Sequence, residues 1–66
     1  MTLTVNGETR ELPDHASVQD LIAELGLNDA VCAAEVNKSV VPRSTRERHV
    51  LRDGDVVEIV TLVGGG

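Results

Sequence analysis

The 66-residue sequence predicts an α+β domain, a mixed sheet of about five strands with one main helix packed on one face. Three observations carry that expectation. The chain opens on alternating apolar and polar residues either side of an Asn-Gly pair. A later stretch repeats apolar residues at helical spacing. The end of the chain, from Val56 to Val63, is rich in β-branched residues and runs into three glycines.

In "LTVNGETREL", Leu3 and Val5 alternate with Thr2 and Thr4, which is the two-residue period of a strand. Asn6-Gly7 is the pair that best tolerates the two positive φ angles of a type I′ hairpin turn. Pro13-Asp14 breaks the second strand, because proline has no amide hydrogen for a ladder. "SVQDLIAELG" then predicts an amphipathic helix. Val18, Leu21, Ile22 and Leu25 fall at i, i+3, i+4 and i+7, a single stripe. Ser17 supplies an N-cap oxygen, and Asp20 places negative charge in the first turn, where the helix dipole favours it. Gly26 stops the helix, and Leu27 is placed to fold back onto the stripe. "VCAAEVN" and "SVVP" predict two short strands about a turn at Asn37-Lys38, the second ended by Pro42. "RSTRERH" predicts one irregular or short helical turn, and "RDGD" a turn with Gly54 at its bend. "VVEIVTLV" is the final strand.

One helix can cover only one face of such a sheet. A hairpin, a helical crossover and a final apolar strand place the first and last strands side by side and parallel at the centre, with right-handed connection. That is the β-grasp arrangement. The expected organisation is one domain, 1–63, followed by a flexible glycine tail, 64–66. In the final strand Val57, Ile59 and Thr61 share one face, and Val56, Glu58, Val60 and Leu62 the other. Glu58 is costly under a helix without a partner, so Val57 and Ile59 are the expected core pair. Val60 and Leu62 then lie on the open face beside the tail, either as scattered surface apolars or as a docking patch.

Composition narrows the classes. A chain this short buries only about 60% of the surface its unfolded form exposes. It has no Phe, Tyr or Trp, so the core rests on Val, Leu, Ile and Ala. Its one cysteine allows no internal disulfide, and no Cys/His spacing suggests zinc. No signal-peptide pattern or membrane-length apolar run is present, and with a free thiol this leads to the expectation of a cytoplasmic protein. A net charge of −5 argues against nucleic acid. The charge is uneven. Residues 1–37 hold seven acids and one base, Arg10, whereas 38–52 hold Lys38, Arg43, Arg46, Arg48 and Arg52 against Glu47 alone. The stretch from Lys38 to Arg52 reads as a solvated loop or as a patch for an acidic partner.

No catalytic constellation is visible. Cys32 shares a strand face with Ala34 and Val36, opposite Ala33 and Glu35, which points it toward the core rather than toward reactivity. His15 and His49 stand in loop-like stretches without partners at triad or ligand spacing. The carboxylates form no evident acid/base couple, and no glycine-rich loop precedes a helix to cradle phosphate. The tail is left. Glycine loses the most freedom on ordering and packs nothing, so Gly64-Gly65-Gly66 contributes nothing to folding. It is either a frayed end or an arm that enters a narrow channel, reaching about 10 Å when extended. Its terminal carboxylate, with a pKa of about 3.5, is ionised and a poor electrophile until activated, commonly by transfer to AMP from ATP.

These residues together resemble a known family. "VNGE", "SVQDLIAELGL", "EVNKSVVPR" and "LRDGDVVEIVTLVGGG" span nearly the whole chain and are similar to the ThiS family, sulfur carriers of thiamine (thiazole) biosynthesis in the ubiquitin-like β-grasp superfamily. The resemblance implies a carrier and not an enzyme. Gly66 would be the modified residue, first a glycyl adenylate and then a 1-thioglycine, with Gly64 and Gly65 threading the partner's active site. It implies a ThiF-like adenylyltransferase that uses ATP and magnesium, a cysteine desulfurase or other sulfur donor that supplies sulfur as persulfide, and a ThiG-like thiazole synthase as acceptor. The chain itself would bind no cofactor or metal, no nucleic acid and no membrane. An open-face patch at Val60 and Leu62 fits the way such carriers meet the enzyme receiving their tail. The small subunit of molybdopterin synthase, and a modifier conjugated to lysine through Gly66, are the neighbouring readings. A β-grasp ferredoxin is excluded, since a cluster needs four ligands.

Overall fold

The computed structural model describes residues 1–62. Its elements are β1 (Thr2–Val5), β2 (Glu8–Glu11), α1 (Val18–Glu24), β3 (Cys32–Val36), β4 (Ser39–Val41), a 3-10 turn at Arg43–Thr45, and β5 (Val56–Thr61). The expected order of elements is the observed one. The final strand is shorter than expected, ending at Thr61.

The five strands form one sheet in the order β2-β1-β5-β3-β4. β1 and β5 run parallel at its centre, Thr4 opposite Val56 and Val5 opposite Val57. The other neighbours are antiparallel. The first hairpin turns on Asn6 and Gly7, with φ of 50° and 81°, the two positive values a type I′ turn requires. The second turns on Asn37 and Lys38 at 50° and 72°, an uncommon conformation for lysine, which has no short side chain to support it.

Helix α1 is bounded at both ends. Ser17 Oγ accepts from the Asp20 amide at 3.1 Å, and Asp20 Oδ2 accepts from the Ser17 amide at 2.9 Å. That reciprocal capping box satisfies two amides a helix start leaves unpaired. At the other end Gly26 takes φ of 74°. Its amide donates to Ala23 O and that of Leu27 to Ile22 O, the paired bonds of a Schellman motif. Leu27 thereby folds back against the core, as its position suggests.

Val18, Leu21 and Ile22 of the helix meet Leu3 and Val5 of β1, Ala34 and Val36 of β3, Val41 of β4, and Val57 and Ile59 of β5. Leu12, Ala16 and Leu51 close the core from the connections, and Leu25 is only partly buried at its edge. The core is wholly aliphatic. The other face of the sheet has no layer over it among the described residues, and Val56, Glu58 and Val60 alternate outward with the buried Val57 and Ile59.

Ile59 tests this assignment. Ile59→Ala should destabilise the domain by about 2–4 kcal/mol in urea or thermal unfolding. Val60→Ala, one residue on and outward-facing, should stay within about 0.5 kcal/mol. Equal effects would contradict the two-faced strand.

Candidate functional site

β5 leads toward the C-terminus, and its end is fixed by backbone bonds. Cys32 of β3 stands opposite Thr61, and the Leu62 amide donates to Val31 O at 2.8 Å. The chain is thus held to the start of β3 up to Leu62. Gly66, the expected chemical site, and Gly64 and Gly65, expected to thread the partner's active site, lie outside the described residues, as does Val63.

β5 is also held, at its start and along its middle, by asparagines that sit in the two hairpin turns. Asn6 Oδ1 accepts from the Ile59 amide at 2.8 Å, while its own amide donates to Val57 O. Asn37 Oδ1 accepts from the Val56 amide at 3.0 Å, and its Nδ2 donates to Asp55 Oδ1. The sequence marks both residues as turn formers and shows nothing of this second role, because the partner lies about 20 or 50 residues away.

The open face follows from the register. On it Val60 stands across from Ala33, Glu58 across from Glu35, and Glu35 across from Val40. Val40, Val60 and Leu62 are 69%, 53% and 60% exposed, and Val31 and Val56 are also exposed. Val60 and Leu62 are therefore where the two-residue period puts them, on the uncovered side, within and just after the last residues of β5. Glu35 and Glu58 face one another directly, a like-charge pair that costs stability. Among the described residues, neither carboxylate has an ion-pair or hydrogen-bond partner. Glu11, the third acid on this face, accepts from Thr2 Oγ1 at 2.6 Å.

Cys32 is half-buried and packs against the core beside Ala34 and Val36, the orientation its strand position predicts. Its surroundings contain a residue the sequence does not flag. Arg46 is only 8% exposed. Its Nη2 donates to Cys32 O at 2.6 Å, and Nη1 lies 3.8 Å from Cys32 Sγ. Its backbone carbonyl accepts from the Gln19 amide in the first turn of α1. Nε is buried without a partner. Whether 38–52 is taken as a solvated loop or as a patch for an acidic partner, Arg46 departs from it by being buried. Four of the segment's five bases are exposed, and the fifth ties the connection to both the helix and the start of β3. A run of similar arginines gives no periodicity from which to single one out.

The remaining candidates do not assemble. His15 is exposed, with φ of 70°, and His49 is half-buried in the connection before β5. Among the described residues no three His, Cys, Asp or Glu side chains come together as metal ligands. An open groove of about 760 Å³, lined in part by Arg48, His49, Arg52 and Asp55, lies where β3 ends and β5 begins. It is at the opposite end of the sheet from Leu62. No helix of the described residues is long and apolar enough to cross a membrane.

Comparison with known proteins is consistent in direction. The ThiS family model matches residues 3–66. The crystal structure of the thiamine biosynthesis protein ThiS from Geobacter metallireducens is 32% identical and superposes with a TM-score of 0.83, covering all of both chains. The sulfur carrier protein ThiS of Bacillus subtilis is 35% identical over 65 residues, which is 97% of this chain and 98% of that one. A thiazole synthase of Paramagnetospirillum magneticum is 39% identical over all 66 residues, but the chain spans only about a fifth of its length, 20%.

Arg46 provides a test of this region. Arg46→Ala should cost about 1–3 kcal/mol, since it leaves Cys32 O without its donor and opens space beneath the connection. Arg43→Ala and Arg48→Ala, both exposed, should each stay within about 0.5 kcal/mol in chemical denaturation.

Proposed function

The chain belongs to the ThiS family, and from that premise we propose that it carries sulfur for thiazole formation in thiamine biosynthesis, with the carboxylate of Gly66 as the chemical site. The observation that carries this reading is the joint one of a family match running through residue 66 and a strand that delivers the chain, held as far as Leu62, to the edge of an uncovered sheet face. The described residues supply a platform. The activating and sulfur-transfer chemistry belongs to partners.

The sequence of events follows from the carboxylate. An ionised carboxylate resists attack, so an oxygen of Gly66 displaces pyrophosphate from ATP to form a glycyl adenylate. A ThiF-like adenylyltransferase supplies the phosphate site and uses magnesium. A persulfide sulfur, from a cysteine desulfurase or another donor, then attacks the activated carbonyl and AMP leaves. Cleavage of the sulfur–sulfur bond by a thiol leaves the thiocarboxylate on Gly66. A ThiG-like thiazole synthase takes that sulfur. The P. magneticum thiazole synthase, which contains a homologous stretch one-fifth of its own length, supports pairing this chain with such an acceptor.

Gly64 and Gly65 fit this role because a residue without Cβ can pass where any other would clash. Val60 and Leu62 provide the docking contact, apolar and exposed at the C-terminal end of β5. Cys32 has no part in the transfer; it packs against the core on the helix side of the sheet.

Two variants separate the parts. Removal of Gly65 and Gly66 should abolish ATP–pyrophosphate exchange by the adenylyltransferase and leave the thermal midpoint unchanged. Cys32→Ala should retain sulfur loading with a modest loss of stability. Loading lost in a folded Cys32→Ala protein would mean that the thiol relays sulfur.

A further inference from the structure

Glu35 and Glu58 occupy the middle of the open face, one on each of two adjacent central strands. Opposed like charges in a sheet are unfavourable, and a stability-optimised sequence would place a cation at one of the two positions. Here neither carboxylate is neutralised by a described residue. The cations lie elsewhere. Arg10 stands opposite Leu3 and so on the helix side, Arg46 is buried beneath the connection, and the others sit in turns and loops. The strands' open face carries the carboxylates Glu11, Glu35 and Glu58 and no lysine or arginine.

The pair also has defined neighbours. Val56 and Val60 flank Glu58 along β5, Val40 stands across from Glu35, and Leu62 continues the row toward the tail. An apolar surface with two uncompensated carboxylates at its centre complements an apolar surface with a cation at its centre. Arginine suits the role best, since its guanidinium can engage two carboxylates at once and is less strongly hydrated than lysine.

We propose that Glu35 and Glu58 form the specificity element of the docking face, and that its occupant is the enzyme that adenylates the tail, presenting a basic side chain between the two carboxylates. This rests on the sulfur-carrier reading and adds to it the charge that selects the partner. The strain between the two acids is relieved on docking, which makes the face better matched to a basic partner than to itself or to other acidic chains.

The test is ATP–pyrophosphate exchange by the cognate ThiF-like adenylyltransferase with the full-length chain. Glu35→Gln with Glu58→Gln should raise the KM for the carrier by roughly tenfold at low salt, leave kcat at saturation unchanged, and keep or raise the thermal midpoint. Glu11→Gln, on the edge strand, should change neither constant. The wild-type kcat/KM should fall as sodium chloride is added, and the double variant should lose most of that dependence. This salt dependence of the wild type stands whether or not a variant folds. An unchanged KM, a salt-insensitive wild type, or a fall in kcat at constant KM would each overturn the proposal. So would sedimentation showing a wild-type dimer that the variants dissociate, since the occupant would then be a second copy. Failure of the wild-type chain to be adenylylated at all would instead contradict the sulfur-carrier reading itself.

Discussion

The structure depends on the position of β5 between β1 and β3. This strand comes last in the chain and lies at the centre of the sheet, parallel to one neighbour and antiparallel to the other. Placing it there closes a long loop, which costs chain entropy before any contact forms. The cost is offset on both sides. Val57 and Ile59 enter the aliphatic core under α1, and Asn6 and Asn37 add side-chain bonds to the backbone amides of Ile59 and Val56. The turn before β5 is anchored as well, since the Gly54 amide donates to Thr2 O and Asp53 Oδ1 accepts from the Thr2 amide at 2.7 Å. With β5 fixed in register, the remaining features follow. One set of alternate residues is core, the other is an uncovered face, and the C-terminal end of β5 lies beside Val31 and Cys32 at the start of β3.

Much of this is legible in the sequence, for local reasons. Asn6-Gly7, Ser17, Asp20, Gly26 and the stripe Val18, Leu21, Ile22 each encode their conformation within a few residues, so the hairpin, the helix and its bounds are readable directly. The two faces of β5 are readable because a single glutamate, Glu58, decides which set can lie under a helix. The parallel pairing of the first and last strands follows from having one helix to cover one face. What cannot be read depends on partners far apart in the chain. Asn6 and Asn37 look like turn residues until β5 is beside them. Arg46 looks like its neighbours until the start of β3 supplies its carbonyl. The opposition of Glu35 and Glu58 exists only in the register of β3 with β5. The expected chemical residue is the opposite case. Gly66 is legible from the terminal glycines and the family pattern, and it lies outside the described residues.

A carrier of this kind needs little from its own interior. The core is small and aliphatic, and among the described residues no cluster of titratable side chains forms a metal site. On the proposed reading, selectivity resides in a rigid surface and reactivity at the chain's end, so the two can be altered separately. That division explains why a domain of marginal size keeps an unfavourable glutamate pair on its central strands. Stability is ceded where another protein is to be recognised, and it is recovered at the capping box, the Schellman motif and the asparagine bonds to β5.

The central claim is that sulfur resides on the terminal carboxylate. Its most direct test is intact-protein and terminal-peptide mass spectrometry after incubation with the adenylyltransferase, ATP, magnesium and a persulfide donor under reducing conditions. The account predicts a mass gain equal to exchange of one oxygen for one sulfur, confined to the peptide that ends in Gly66. A gain that maps to Cys32, or no gain in a chain that is nonetheless adenylylated, would contradict it.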